Sequence, residues 1–178
     1  MTDEFSPLTV QDYASQALMT DQRSDSGSLT FPLLGLFGEI GSLLSEVKKK
    51  QRDRASYVGY AAAVVEELGD VLWYITAIAA RGGLTFGDIA GNLNRAFSDL
   101  RRVGDAPLSF ASMQPEIMPL TTEPSAAFEK TLLQLAGEVG LLVIDHHADQ
   151  LAANQSALAN RLIAITCTLV QAANEAGV

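Results

Sequence analysis

Residues 64–75, VVEELGDVLWYI, set Glu66, Glu67 and Asp70 inside an otherwise apolar run. Upstream, residues 33–50 carry Glu39 and Glu46 beside a similar run, with Ser42 between them. Grouped carboxylates suit one chemistry above others: their oxygens are the preferred ligands of hard divalent cations, which take six or more of them. At roughly 100° per residue, Glu39 and Glu46 fall within about 20° of each other on a helix. Glu67 and Asp70, three apart, share a face. Two helices packed antiparallel with those faces together would gather four carboxylates, an arrangement that repels itself unless a cation is present. The competing reading is a solvated edge on each helix, which suits Glu46 and Glu66 better than the others. Ligation is favoured by coincidence: two neighbouring segments each carry such a pair, each near a glycine.

Composition narrows what those acids could serve. The chain has 178 residues, 48% of them hydrophobic, with 6 Pro and 14 Gly, which excludes a low-complexity or disordered protein. A formal net charge of −9 argues against binding to a nucleic-acid backbone. If the ligand is nonetheless a polyanion such as a nucleotide, a cation must mediate, and a divalent metal is the simplest mediator. The single cysteine, Cys167, sits in the apolar run LIAITCTLV, the setting of a small hydrophobe. The opening MTDEFSPLTVQ has neither a basic nor an apolar region, and uninterrupted apolar runs fall short of the roughly 18 residues of a membrane span. A cytoplasmic protein that engages no membrane is expected.

The elements that must position the acids read as helices throughout, so the fold class is all-α. Leu33, Leu36, Phe37, Ile40, Leu43, Leu44 and Val47 recur at steps of three and four, with Pro32 suited to the first turn. A second long helix is expected from about Ala55 to Ala80, stopped by Arg81-Gly82-Gly83. A third begins where Thr85 and Asp88 form a capping-box pattern, and Thr9 is the expected cap of an opening helix. Residues 103–125, with Pro107, Pro115, Pro119 and Pro124, lose periodicity and read as a linker or packed irregular crossover. Helical pattern then resumes to the end.

That last part resembles the first. LLGLFGEIGSLLSEVKKKQ aligns without a gap on LLQLAGEVGLLVIDHHADQ, placing Glu39 on Glu138 and Glu46 on Asp145. ELGDVLWYITAIAARGGL aligns on RLIAITCTLVQAANEAGV, placing Gly83 on Gly177. We read a degenerate internal duplication. The expected organisation is a first unit at 1–102, a crossover at 103–124, and a second helix pair at 125–178 packed on the first unit. The second copy keeps the apolar stripe and drops the acids: Arg161 and Ala164 stand where Glu67 and Asp70 stand, and Leu141 stands where Ser42 does.

The order GLFGEIGSLLSEVKK, then EELGDVLWYITAIAARGGLTFGDIAGNLNR, resembles the MazG-like all-α nucleoside triphosphate pyrophosphohydrolases, over about residues 8–102. The hallmark of that family is ExxE, a spacer, then ExxD. Glu67 and Asp70 match the second motif and Glu39 the first position of the other, whose second position is Ser42, with Glu46 one turn on as a substitute ligand. The resemblance implies a helical bundle and Mg2+-dependent attack of water on the α-phosphorus of an NTP or dNTP, giving NMP and pyrophosphate. Glu39, Glu67 and Asp70 would be the catalytic metal ligands, with Asn92 and Arg95 contacting phosphates. Family members assemble through paired helices of two subunits, so the second half could act as a built-in partner, with homodimerisation left open. The alternative is an impaired homologue that binds a nucleotide or serves as a helical assembly module. LLVIDHHADQ resembles a phosphoesterase signature, but the alignment makes it helical, and adjacent histidines on a helix do not share a face. KKKQRDR at 48–54 reads as a solvated helix C-terminus, where cations favour the macrodipole.

Overall fold

A computed structural model describes residues 8–22, 27–96, 109–113, 119–148, 151 and 154–178; of these, the side chains of residues 94–96, 111 and 113 are not described. Among the described residues it has six α-helices and no strand: α1 (Val10–Met19), α2 (Thr30–Asp53), α3 (Tyr60–Arg81), α4 (Phe86–Ala96), α5 (Ala126–His147) and α6 (Gln155–Ala176). Short 3-10 turns at Arg54–Ser56 and Phe110–Met113 complete it.

Local chemistry starts the helices where the sequence indicates. The Thr9 hydroxyl accepts from the Asp12 N–H at 3.0 Å and opens α1. Thr85 accepts from the Asp88 N–H at 3.1 Å and donates to the Asp88 carboxylate at 2.5 Å, so the threonine and aspartate hold the start of α4 together. The expected start of the second long helix is corrected. Ala55 lies in the 3-10 turn, and α3 begins at Tyr60, because Arg54 takes a positive φ of 49° that ends α2 and turns the chain. Lys50 holds that turn. Its buried ammonium donates to the carbonyls of Arg54 (2.9 Å) and Tyr57 (3.1 Å) and pairs with Glu123 (3.1 Å). The solvated-cluster reading of residues 48–54 therefore fails at Lys50, whose ammonium is occupied inside the fold.

Contacts fix the direction of each helix pair. Going up α2, Gly35 meets Tyr74, Glu39 neighbours Asp70, and Glu46 bonds Tyr57, so α2 and α3 run antiparallel. In the same way Thr131 meets Gln171, Gln134 meets Thr168, and Asp145 meets Arg161, so α5 and α6 run antiparallel. The two hairpins join through α2 on α5 and α3 on α6, while α1 packs on α3 and α4, and α4 on α6. One continuous apolar core runs through all six helices.

The two hairpins bury residues in the same register. Leu33, Leu36, Ile40 and Leu43 are buried in α2, and their aligned partners Leu132, Leu135, Val139 and Leu142 in α5. Val64, Leu68, Val71 and Ile75 in α3 correspond likewise to Leu158, Leu162, Ile165 and Leu169 in α6. The endings correspond too. Gly83 (φ 71°) and Gly177 (φ 74°) both adopt the left-handed conformation, and the next N–H returns to a helix carbonyl at 2.9 Å in each, Leu84 to Ala79 and Val178 to Ala173. Glycine takes that conformation without the steric cost a Cβ would impose.

The described parts of the crossover pack against the bundle. Thr9 and Ser109 form an isolated antiparallel bridge, Phe110 stacks edge-on against Tyr13 with centroids 5.3 Å apart, and the Thr121 N–H reaches the Ala176 carbonyl at 2.9 Å. Helix α6 is long and apolar enough by length and composition to cross a membrane, and it carries eight buried residues, six of them, including Leu162 and Ile165, in this core. The adjacent histidines His146 and His147 lie in the last turn of α5, as the helical reading of DHH expects.

Candidate metal centre

Glu39 from α2 and Glu67 and Asp70 from α3 converge. One carboxylate oxygen from each lies within 4.8 Å of the other two. The cause is the antiparallel hairpin: the i, i+3 spacing puts Glu67 and Asp70 on one face of α3, and the register of α2 brings Glu39 opposite them. The apolar stripes of both helices are buried beside this edge, so the acids sit at the margin of the core, with Glu39 and Glu67 half-buried and Asp70 exposed.

Glu67 bears most of the electrostatic strain. Burial, then the neighbouring Glu39, then Asp70 and Glu46, push its pKa up to about 7. Its Oε2 is buried without a hydrogen-bond partner. Oxygens ligating a hard cation at 2.0–2.6 Å lie at most about 4–5 Å apart, so this set of three admits such an ion with small side-chain adjustment. Three carboxylates are a donor set of the kind that hard divalent cations accept.

The remaining expected residues are placed differently. Glu46, expected as a substitute ligand or a solvated acid, is neither; it is 6% exposed, with one oxygen taken by the Lys49 ammonium and the other by the Tyr57 hydroxyl. Burial raises its pKa, but the bonds from Lys49 and Tyr57 outweigh that and hold it below the usual carboxylate range. Tyr57 is pushed up to about 12, chiefly by that same bond. A buried carboxylate with both oxygens engaged by donors has no cause to turn toward a cation. Ser42 is half-buried on α2, and Glu66 is exposed, as the solvated reading has it. Asn92, half-buried on α4, donates its amide to the Asp88 carbonyl at 2.8 Å. The side chain of Arg95 lies outside the described residues, as do residues 97–102 of the expected first unit.

Two phenols not assigned from the sequence stand by the cluster. The Tyr13 pKa is pushed up to about 12 by burial and then by the charge of Asp70; that of Tyr74 is raised by burial and then by Glu39 and Asp70. Tyr74 follows Asp70 by four residues, so helical spacing could have found it. Tyr13 arrives from α1 through tertiary packing, with no sequence signal. The Tyr74 ring lies against Gly35, where there is no room for a Cβ, and stacks edge-on against Trp73 with centroids 4.9 Å apart. The Trp73 indole donates to the Thr20 hydroxyl at 2.8 Å and fastens α1 over α3.

At the matching place in α5–α6 the charges are settled within the chain. Glu138, aligned with Glu39, accepts from Thr168 and Gln134, both at 2.9 Å. Arg161, aligned with Glu67, donates to Asp145 at 2.6 Å.

No family model, curated protein or solved structure matches the chain. The functional reading therefore rests on the three carboxylates and their surroundings.

The raised pKa of Glu67 has a definite consequence for the metal-free protein. A carboxylate with a folded-state value near 7 and an ordinary unfolded value of 4.5 binds more protons folded than unfolded between those limits. Its contribution is full below about pH 4.5 and is lost as the pH rises through about 7. Thermal melts of wild type and Glu67→Gln in EDTA between pH 5 and 8 are expected to diverge, with wild type losing ground to the variant as the pH rises. Parallel curves would show that Glu67 does not carry the strain.

Proposed function

We propose that this chain is a MazG-like, Mg2+-dependent nucleoside triphosphate pyrophosphohydrolase, converting an NTP or dNTP to NMP and pyrophosphate. The observation that carries the reading is the convergence of Glu39, Glu67 and Asp70 within 4.8 Å across two helices. A bound Mg2+ would neutralise phosphate charge and make a coordinated water a better nucleophile. The chain's own residues supply the rest. Glu39, Glu67 and Asp70 would hold the ion. Glu67, whose Oε2 has no partner, is the carboxylate placed to take the proton of the attacking water. The apolar hairpin beneath fixes the spacing of the acids, so little reorganisation is needed when substrate binds. The net charge of −9 makes a cation-bridged route to a phosphate ligand the physically consistent one.

The shared burial register and matching glycine ends support reading α5–α6 as a degenerate copy of α2–α3 that serves as its structural partner. A second reading, a nucleotide-binding or assembly module without turnover, is favoured by Ser42 in the place of a fourth carboxylate and by the engagement of Glu46 elsewhere.

Purified protein with Mg2+ and a panel of NTPs and dNTPs is expected to release NMP and pyrophosphate in equal amounts. Turnover no greater than that of Glu67→Ala would overturn the enzymatic reading. A thermal shift with Mg2+ and a non-hydrolysable nucleotide would then distinguish binding from a purely structural role.

A further inference from the structure

We infer that Lys49 receives the leaving pyrophosphate, so that substrate lies along the α2–α3 edge with its terminal phosphates toward the Arg54 turn; the assignment rests on the pyrophosphohydrolase reading above. A triphosphate held at Glu39, Glu67 and Asp70 carries more negative charge than one divalent ion balances, and the surroundings of the cluster are acidic. A cation of the protein on that edge would stabilise the leaving group.

The cations on the two helices that carry the cluster can be sorted one by one. Lys50 is buried and bonded to the carbonyls of Arg54 and Tyr57 and to Glu123. Arg52 pairs with Asp53 at 2.7 Å, and Arg81, at the far end of α3, pairs with Asp21 at 2.8 Å. Lys48 is nine residues from Glu39, which places it about 180° around the helix, facing away. Lys49 remains. It is half-exposed, it touches Glu46, and its ammonium stands 6.0 Å from the centre of the Tyr57 ring, in the groove between α2 and the chain entering α3.

Direction follows from the same geometry. Helical side chains lean toward the N-terminus, so Lys49 reaches back along α2 toward Glu46 and the cluster. On α3, Glu67 lies nearer that end than Asp70, since the helices are antiparallel. The opposite end of the cluster is aromatic, with Tyr74, Trp73 and Tyr13. An aromatic end, three carboxylates and then an ammonium repeat in order the base, the metal-bound phosphate and the terminal phosphates of a nucleotide. In the reaction, water oxygen bonds to the α-phosphorus, the α–β anhydride bond breaks, and its electron pair leaves on pyrophosphate. The Lys49 ammonium would exchange its bond to Glu46 for one to that departing group, while Tyr57 keeps its bond to Glu46.

The test is calorimetric binding of Mg2+ alone and of inorganic pyrophosphate in the presence of Mg2+, to wild type, Lys49→Met and Lys49→Arg. Expected are similar Mg2+ affinities in all three, pyrophosphate binding weakened roughly ten- to a hundredfold in Lys49→Met, and most of that loss restored in Lys49→Arg. Thermal melts in EDTA establish that each variant is folded. Pyrophosphate held equally well by Lys49→Met, or by none of the three despite normal Mg2+ binding, overturns the assignment and leaves the metal centre standing. Absence of Mg2+ binding in wild type overturns the metal centre itself and this assignment with it.

Discussion

Glu67→Gln is expected to abolish Mg2+-dependent pyrophosphate release while making the metal-free protein more stable at pH 8. The two effects have one cause. At pH 8 the wild-type side chain is largely ionised, beside Glu39 and Asp70 and with one oxygen buried and unpartnered. Glutamine keeps the shape and removes the charge, so the mutual repulsion of the acids falls. Solvent reaches part of the cluster, so the gain is modest, roughly 2–4 °C in melting temperature for a chain of this size. Under the proposed function the same change also removes a metal ligand and the proton acceptor. Groups that merely support metal ligands cost about 10- to 100-fold when replaced, and a direct ligand should cost at least the upper figure. Added Mg2+ should raise the melting temperature of wild type and leave Glu67→Gln unmoved. The measurement is a melt of both proteins with EDTA and with Mg2+, beside a pyrophosphate assay. Retained turnover in the variant would remove Glu67 from the chemistry, and an unchanged melt in EDTA would remove it from the strain.

The second large effect concerns the core and joins the two hairpins. Leu36 and Leu135 occupy aligned positions on α2 and α5, and each is wholly buried. Replacing either with alanine removes the packing of a full side chain and leaves a cavity, at a cost of about 2–5 kcal/mol. Because α2 packs on α5 and α3 on α6 within one core, both variants should unfold in a single transition, shifted to lower denaturant with the slope unchanged. Leu135→Ala should therefore weaken Mg2+ binding near its unfolding midpoint although Leu135 belongs to the other hairpin. A Leu135→Ala protein that melts in two steps, with α2–α3 surviving the first, would show that the hairpins fold independently.

The helices and the convergence of Glu39, Glu67 and Asp70 were legible because both are written in local periodicity. A spacing of three and four gives the buried stripe of α2, save for Phe37, which the same pattern included and which is exposed, and three gives the pairing of Glu67 with Asp70. The caps at Thr9 and Thr85 are equally local. What escaped depends on chain segments that return from elsewhere. A helical wheel places Glu46 within about 20° of Glu39, but it cannot show that the turn after α2 brings Tyr57 back onto Glu46. That turn rests on the positive φ of Arg54 and on the burial of Lys50, neither of which has a residue-type signal. The same turn explains why α3 begins several residues later than its apolar pattern suggests. Tyr13 reaches Asp70 only because Trp73 and Phe110 fix α1 across α3.

The bond from Arg161 to Asp145 has a consequence for how the molecule meets its medium. In α5–α6 the balancing positive charge is part of the chain, present at a fixed ratio and independent of what is dissolved. In α2–α3 the counterpart of Asp145, Glu46, is likewise paired within the chain, with Lys49, but Glu67 stands where Arg161 does, beside Glu39 and Asp70, and among the described residues no ion pair balances it. One half of the bundle is thus self-contained, and the other is open to the ionic composition around it. Because the halves share a core, a cation taken up at the proposed metal centre would reach the stability of the whole chain, while a chelator would find nothing to withdraw at the Asp145–Arg161 pair.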